Sequence, residues 1–408
     1  MKTHPCFKQV ALNVLLPLCL VLASTAASAD TLGQVISEAL ARSGEQALGN
    51  SLRQQGEAVH RQSSGFLAAD PSLNLNYLSD QFTDDEGFRE IEATIELPLW
   101  WQGQRGARQE IAQALTDQAE VLDLHQRWTM AGRVREQVWE VVLTEATLQQ
   151  MNLALQTSRD LETKVARLVA VGELAQFDLL TIRQEVAERE ADVGDARSAH
   201  RIALAGYRQL TGQMALPEPL YEPPAPVTEL PPGHPRVQQA QHTLALAQAE
   251  TVQARRSRAG TPILGIGGRN NREFSGAKSD DAVQISLTLP FGLAGQSAPA
   301  IASAMRTQTE QDVALQQARL TAEQALLSAR LAHQGAEEAL NLATHREALA
   351  RDALHMAQRA FDLGETDLVQ LLRAQALARS SALDLEQRRI ELGRAQARLN
   401  QALGVIPE

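Results

Sequence analysis

The sequence predicts a mainly α-helical chain that also carries strands of a membrane β-barrel. It is organised as two tandem repeats, each of long coiled-coil helices plus one β-hairpin. Three observations predict this. First, landmarks recur at one fixed offset: Leu97-Pro98 returns as Leu289-Pro290, Val171-Gly172-Glu173 as Leu363-Gly364-Glu365, and Leu210-Thr211-Gly212 as Ala402-Leu403-Gly404. Three matches at a single offset imply duplication without net insertion between them. Second, residues 104–170 and 297–362 read as uninterrupted helices rich in Ala, Leu, Gln, Glu and Arg; at 1.5 Å per residue each is about 100 Å long. Helices of that length lie against one another as coiled coils. Third, two segments alternate strictly with period two, the mark of a strand with one wet and one dry face.

The elements follow in order. The first 29 residues read as a secretion signal: Lys2 and Lys8 supply a basic start, Val10 to Ala23 an apolar run, and Ala27-Ser28-Ala29 a small-residue cleavage site. Asn13 and Pro17 interrupt the run, which falls short of the roughly 20 apolar residues of a spanning helix. Cys6 and Cys19 are the only cysteines, so no disulfide framework exists downstream. Pro17-Leu18 stand before Cys19 in place of the small residues that a lipidation cut requires.

Repeat 1 takes residues 30–215. A helix near 32–62 leads into a hairpin at 71–99. In its second strand Ile91, Ala93, Ile95 and Leu97 alternate with Glu90, Glu92, Thr94 and Glu96; in its first, Leu73, Leu75 and Tyr77 alternate with Asn74 and Asn76. The long helix then runs to a tip turn at 171–176, where Gly172 ends it, and a shorter helix near 177–213 returns. Residues 216–235 hold eight of the sixteen prolines and form an extended connector, since proline fixes φ and lacks the N–H. Repeat 2, residues 236–408, runs the same way: a helix near 235–258, a hairpin at 262–290, the long helix, a tip turn at 363–366 and a return helix near 367–404. In its last strand Val283, Ile285, Leu287 and Leu289 alternate with Gln284, Ser286 and Thr288. The short helices stack end to end with the return helices and restore the length of the long ones.

An eleven-residue strand at 89–99 matches the roughly 9–11 residues of a tilted strand crossing a bilayer. Lipid outside and water inside would satisfy its two faces. Trp100, Trp101, Phe82, Phe88, Phe274 and Phe291 sit at strand ends, where outer-membrane strands carry aromatic girdles. Lipid tolerates no open strand edge, and known single-chain barrels begin at eight strands. Four strands must therefore be pooled between chains. Two chains give a narrow, filled barrel, and three give twelve strands with room for a passage. The competing reading is a periplasmic coiled-coil scaffold or stalk without a pore.

Composition sets further bounds. A net charge of −11 makes nucleic acid an unsuited partner. Aromatics are 4% of the chain, too few for a large globular core. Gly44 to Ser51 has P-loop spacing, but Asn50 stands where the phosphate-binding Lys belongs. Gly265-x-Gly267-Gly268 lies inside a strand, which favours a bulge or close packing over a dinucleotide turn. His333, His345 and His355 lack the i, i+4 spacing of a helical metal pair. No Ser-His-Asp or Cys-His signature is present, so neither an enzyme, a metal site nor a cofactor is expected.

Taken in order, several short stretches resemble the TolC-like outer-membrane efflux proteins. They are Thr31-Leu32 with Ala39-Leu40; Asp70-Pro71-Ser72-Leu73; Glu96-Leu97-Pro98-Leu99 leading to Gly103-Gln104-Arg105 and Arg108; Val171-Gly172 with Asp178-Leu179-Leu180; and Gly364 with Leu371-Leu372 and Ala374-Gln375. The short length and the Pro-Leu…Gly-x-Arg stretch look most like the CzcC-like heavy-metal efflux branch. The resemblance implies a homotrimer with a twelve-stranded barrel in the outer membrane, continued by an α-helical tunnel through the periplasm. It implies a passive conduit whose partners are a periplasmic adaptor and an inner-membrane pump of the RND type. Adaptor docking is implied at Val171, Gly172 and Glu173 and at Leu363, Gly364 and Glu365; Glu173 and Glu365 depart from the Val-Gly-Leu-like turns of relatives. Drug-efflux relatives narrow the pore with acidic residues six and nine positions after the second glycine. Here Gln370 and Arg373 stand at those positions, with Asp178 and Asp367 nearby as further candidates for the constriction. The expected lipid-facing residues are Ile91, Ile95, Leu97, Val283, Ile285, Leu287 and Leu289.

Overall fold

The computed structural model describes residues 31–408; the signal segment and both cysteines lie outside the described residues. In chain order the elements are α1 (Leu32–Ser43), α2 (Gln46–Ser64), β1 (Ser72–Ser79), β2 (Arg89–Pro98), α3 (Gln104–Ala170), α4 (Gln176–Thr211), α5 (Pro235–Arg256), β3 (Ile263–Arg272), β4 (Asp280–Thr288), α6 (Ala294–Asp362) and α7 (Leu368–Ala402). A single 3₁₀ turn, Ser257–Ala259, follows α5.

Local chemistry sets the ends. Thr31 opens α1 with a capping box: its hydroxyl accepts the Gln34 N–H at 3.3 Å, and the Gln34 side chain accepts the Thr31 N–H at 2.8 Å. Pro235 opens α5 at the first helical position, where its missing N–H costs nothing. Two elements differ from the sequence reading. The helix expected over 32–62 is two helices, because Gly44 adopts φ 72° and ends α1. That conformation also accounts for the glycine in the false P-loop. The second long helix starts at Ala294, three residues earlier than expected, and carries Pro299 inside it. Pro299 lies close enough to the start that the helix loses one backbone bond and continues.

The helices form one layer. α3 lies between α4 with α1 and α2 on one side and α5 with α7 on the other, and α6 packs outside α5 and α7. Val35, Ile36, Ala39 and Leu40 of α1 pack with Met130, Val134 and Val138 of α3 and with Tyr207 of α4. At the other junction Gly404, φ 81°, closes against His234 and Pro235, so α7 and α5 stack end to end. The α6 seam is small: Ala322, Ala336, Ala343 and Ala350 are buried at heptad spacing. Alanine lets helix axes approach closely, so the layer holds together with few buried aromatics.

A strap crosses this layer. The connector places Tyr221 edge-on to Trp139, ring centroids 5.2 Å apart, and Glu222 against Arg135. The Arg135 guanidinium donates to both Glu222 oxygens at 2.7 and 2.6 Å and to the Val405 carbonyl at 3.1 Å. The connector and the carboxyl-terminal tail therefore lie on the same side of α3.

The four strands make one antiparallel sheet in the order β1-β2-β3-β4. The repeats join in its centre, β2 to β3, leaving β1 and β4 as edges.

Candidate functional site

The sheet has two chemically distinct faces. Residues paired across neighbouring strands share a face, so the registers define rows through all four strands. One row is Leu73, Ile95, Ile266 and Ile285; the next is Leu75, Ala93, Gly268 and Val283; a third joins Leu97, Leu264 and Leu287. On the opposite face Asn74, Thr94, Gly267 and Gln284 form a row beside Ser72, Glu96, Gly265 and Ser286. The apolar face is exposed across all four strands: Leu73, Leu75, Ile91, Ile95, Ile266, Val283, Ile285 and Leu287 all face solvent, Val283 at 85%, while the polar face is open at the edge strands, at Asn74 and Gln284, and covered in its centre. Leu97 is half-buried, and Leu289 lies just beyond β4 and is exposed. On the polar face Thr94 is buried. A Cβ on Gly265 or Gly267 would collide with Thr94 or Ser286, so these glycines let neighbouring side chains fold over that face. The register runs through them without a bulge, so close packing is their role. At the sheet's ends Trp100 anchors through its indole N–H to the Gly65 carbonyl at 3.0 Å, while Phe82 and Phe291 are almost fully exposed.

At the far end of the helices the two tip turns repeat one device. Glu173 N–H reaches the Leu168 carbonyl at 2.9 Å and Gly172 N–H that of Val169 at 3.1 Å; Glu365 reaches Ala360 at 2.8 Å and Gly364 reaches Phe361 at 3.1 Å. This is the Schellman pattern, which requires left-handed backbone at the glycine; φ is 85° at Gly172 and 75° at Gly364. Val171 and Leu363 project into solvent, 71% and 73% exposed. Behind them Leu161, Val165, Leu179, Ile182, Phe361, Leu368 and Leu371 join both hairpins in one apolar cluster. Lys164 pairs with Asp362, and Arg379 pairs with Glu185 at 2.7 Å. The two repeats therefore meet as one paired tip.

The candidate constriction residues divide by role. Asp178 accepts the Ala175 N–H at 3.1 Å and Asp367 accepts the Gln370 N–H at 2.8 Å, each carboxylate capping its return helix. Gln370 and Arg373 are exposed on α7. Among the described residues no group of three or more His, Cys, Asp or Glu is placed to hold a metal ion, and no helix is long and apolar enough to cross a membrane.

Gly364→Val tests the tip. No atom lies within 4 Å of a Cβ built on Gly364, so the substitution acts through backbone strain alone, about 1–2 kcal/mol for left-handed backbone. Export by the variant is expected to fall while the amount of assembled protein is unchanged. Normal export at normal abundance would refute a functional tip.

One feature passed unrecognised in the sequence. Val313, Leu320, Leu327, Leu331, Leu342, Leu349 and Met356 of α6, with Leu363 just past its end, are all exposed, between 51% and 73%. At 100° per residue they fall within an arc of roughly 60°, a straight apolar stripe about 75 Å long. The signal was there, in apolar residues repeating every seven positions, but a heptad does not say whether its partner is the same chain.

Residues 232–405 match the family model described as outer membrane efflux protein. No curated protein matches the chain. Among solved structures, VceC, the outer membrane protein of Vibrio cholerae, is 15% identical, with TM-score 0.73 over 91% of this chain and 96% of its own. CusC, described in terms of folding and transmembrane channel formation, is 16% identical, with TM-score 0.72 over 92% of both chains. The Campylobacter jejuni CmeC outer membrane channel is 14% identical, with TM-score 0.72 over 98% of this chain and 94% of its own. Over more than nine-tenths of its length, then, this chain has the fold of the TolC-like outer-membrane channels, and its second repeat matches the outer membrane efflux protein family.

Proposed function

We propose that this protein is the outer-membrane channel of a tripartite efflux system. It is a homotrimer that conducts solute passively from an inner-membrane pump and a periplasmic adaptor to the exterior. The observation that carries the reading is the sheet: four strands with two unpaired edges and a continuous, exposed apolar face. Water disfavours that face, and lipid disfavours the edges. Both are relieved when strands from several chains close a barrel with the apolar rows outward. Three chains supply twelve strands and a polar bore.

The helical layer supports the same closure. Its α6 edge offers the apolar stripe, and α4 on the opposite edge exposes Phe177, Leu180 and Ile202. Unlike edges that meet head to tail generate a ring. The paired tip, with Val171, Glu173, Leu363 and Glu365 exposed, is the docking surface for the adaptor, and the pump is of the RND type. The channel catalyses nothing, because the pump supplies the energy. Heavy-metal cations are the cargo that the resemblance to the CzcC-like branch implies.

Planar-bilayer recording of the purified assembly tests the function. Stable unitary conductance is expected. Absence of any current from detergent-stable, correctly assembled protein would favour a pore-free periplasmic stalk.

A further inference from the structure

We infer that the helical tunnel carries, at the level of its helix junctions, a cationic and aromatic belt that binds organic anions in transit. This rests on the channel reading and adds a cargo class beside the cations implied by resemblance. The site is a cavity of about 1310 Å³ between α3 and α6, where α7 ends and α5 begins. That exceeds the roughly 300–1,000 Å³ of a typical small-molecule pocket, so a drug-sized molecule fits with room for water beside it.

The chemistry of its wall is specific. Trp128 is buried in one wall, its indole N–H donating to the Gln401 carbonyl at 2.9 Å, with the His125 ring 5.6 Å and the His234 ring 5.2 Å from its own, and the Arg236 guanidinium 5.4 Å over its face. Arg42, Arg133 and Arg398 also line the cavity, against one carboxylate, Glu136. Two of these arginines are neutralised: Arg133 pairs with Glu45 at 3.0 Å and Arg398 with Glu136 at 3.1 Å. Arg42 and Arg236 make no ion pair among the described residues. Leu210 and the alanines of α6 complete an apolar wall. Two guanidinium groups without an ion pair, one of them lying over the buried indole, and an apolar wall beside them fit a ligand with a flat or aliphatic body and an acidic group.

Position follows from the strap. The connector and tail cross α3 on the side of Arg135. Of the α3 residues that line the cavity, Glu136, Thr129, Met130, Arg133 and Gln137 point about 100° or more away from Arg135 on a helix of 3.6 residues per turn, while Trp128, about 20° from Arg135, closes the cavity on the strap side. In a ring closed edge to edge, the strapped side is the outer one, since a twenty-residue irregular segment in the bore would obstruct it. The cavity faces the bore, and threefold closure repeats it three times at one level.

His234 is held for structure. Its Nδ1 accepts the Arg236 N–H at 3.3 Å and its ring also bonds the Ala402 backbone. Burial, and then the neighbouring Arg236, keep both histidines below the usual imidazole pKa. The fixed positive charge of the belt is therefore arginine, which does not titrate in the working range.

Current block in planar bilayers tests the belt, with 1-naphthalenesulfonate as probe and 1-naphthylmethylamine as its cationic counterpart. The sulfonate is expected to block the wild-type channel, and the amine to do so at least ten-fold more weakly. In the double variant Arg42→Gln/Arg236→Gln the blocking constant should rise at least ten-fold with unitary conductance retained. Trp128→Phe should weaken sulfonate block without changing the preference over the amine. Equal block by the two probes, or sulfonate block unchanged in the double variant, would overturn the belt. So would a conducting channel that neither probe blocks, the outcome expected if a neighbouring chain fills the cavity. A protein with no conductance at all would instead overturn the channel reading beneath it.

Discussion

Ile285→Arg is expected to abolish the assembled trimer, whereas Ser286→Arg one residue away leaves most of it intact. Ile285 is in the middle of β4 and belongs to the row Leu73, Ile95, Ile266, Ile285 on the uncovered apolar face. Arginine facing lipid near the bilayer midplane costs about 2–4 kcal/mol. Threefold repetition raises the cost to roughly 6–12 kcal/mol per assembly, comparable to the whole stability of a typical fold. Ser286 shares the polar face with Glu96 and lies over Gly265, which has no side chain to crowd it. An arginine there stays hydrated in the bore. Heat-modifiable trimer in outer-membrane fractions is the measurement, with arginine placed in turn at 283, 285 and 287 and at 284, 286 and 288. Equal assembly in the two sets would mean that these are not membrane strands.

Arg135→Ala is expected to destabilise the helical tunnel by about 3–5 kcal/mol, the usual cost of orphaning a buried ionic partner. The Arg135 side chain is 4% exposed and that of Glu222 11%, so truncation leaves a carboxylate in a dry site with only Asn400 donating to it, at 3.2 Å. The Val405 carbonyl loses its donor as well. Thermal unfolding followed by circular dichroism should show the loss, and the connector should become sensitive to protease. The double replacement Arg135→Met/Glu222→Met should recover most of it, because the penalty lies in the unpaired charge and not in the absence of the pair. A change below about 1 kcal/mol for the single variant would show that the strap does not depend on this contact.

Both variants bear on how much of the molecule could be read in its sequence. The β4 alternation, the two tip glycines and the proline-rich connector were all legible, because each is a local pattern with a local cause: a two-residue side-chain period, a need for positive φ, a fixed φ without an N–H. Where the reading erred, a single residue outweighed a pattern. Gly44 broke a helix that the surrounding periodicity had extended, and Pro299 was accommodated near a helix start. What escaped altogether was pairing at long range. Arg135 and Glu222 are 87 positions apart, and the cavity draws its arginines and its tryptophan from α1, α3, α5 and α7. The carboxylates Asp178 and Asp367 show another limit, since an acidic residue at a helix start reads alike as a pore ligand and as a cap. The apolar heptads of α6 went unread for the same reason, since a local repeat does not name what covers it.

The central claim is that three chains pool their strands and their unlike helical edges into one closed channel. Native mass spectrometry of the protein extracted from outer membranes in mild detergent tests it most directly. A single species of three chains is expected, persisting in wild type and in Ser286→Arg and lost in Ile285→Arg. A monomer or a dimer as the stable species would contradict the architecture.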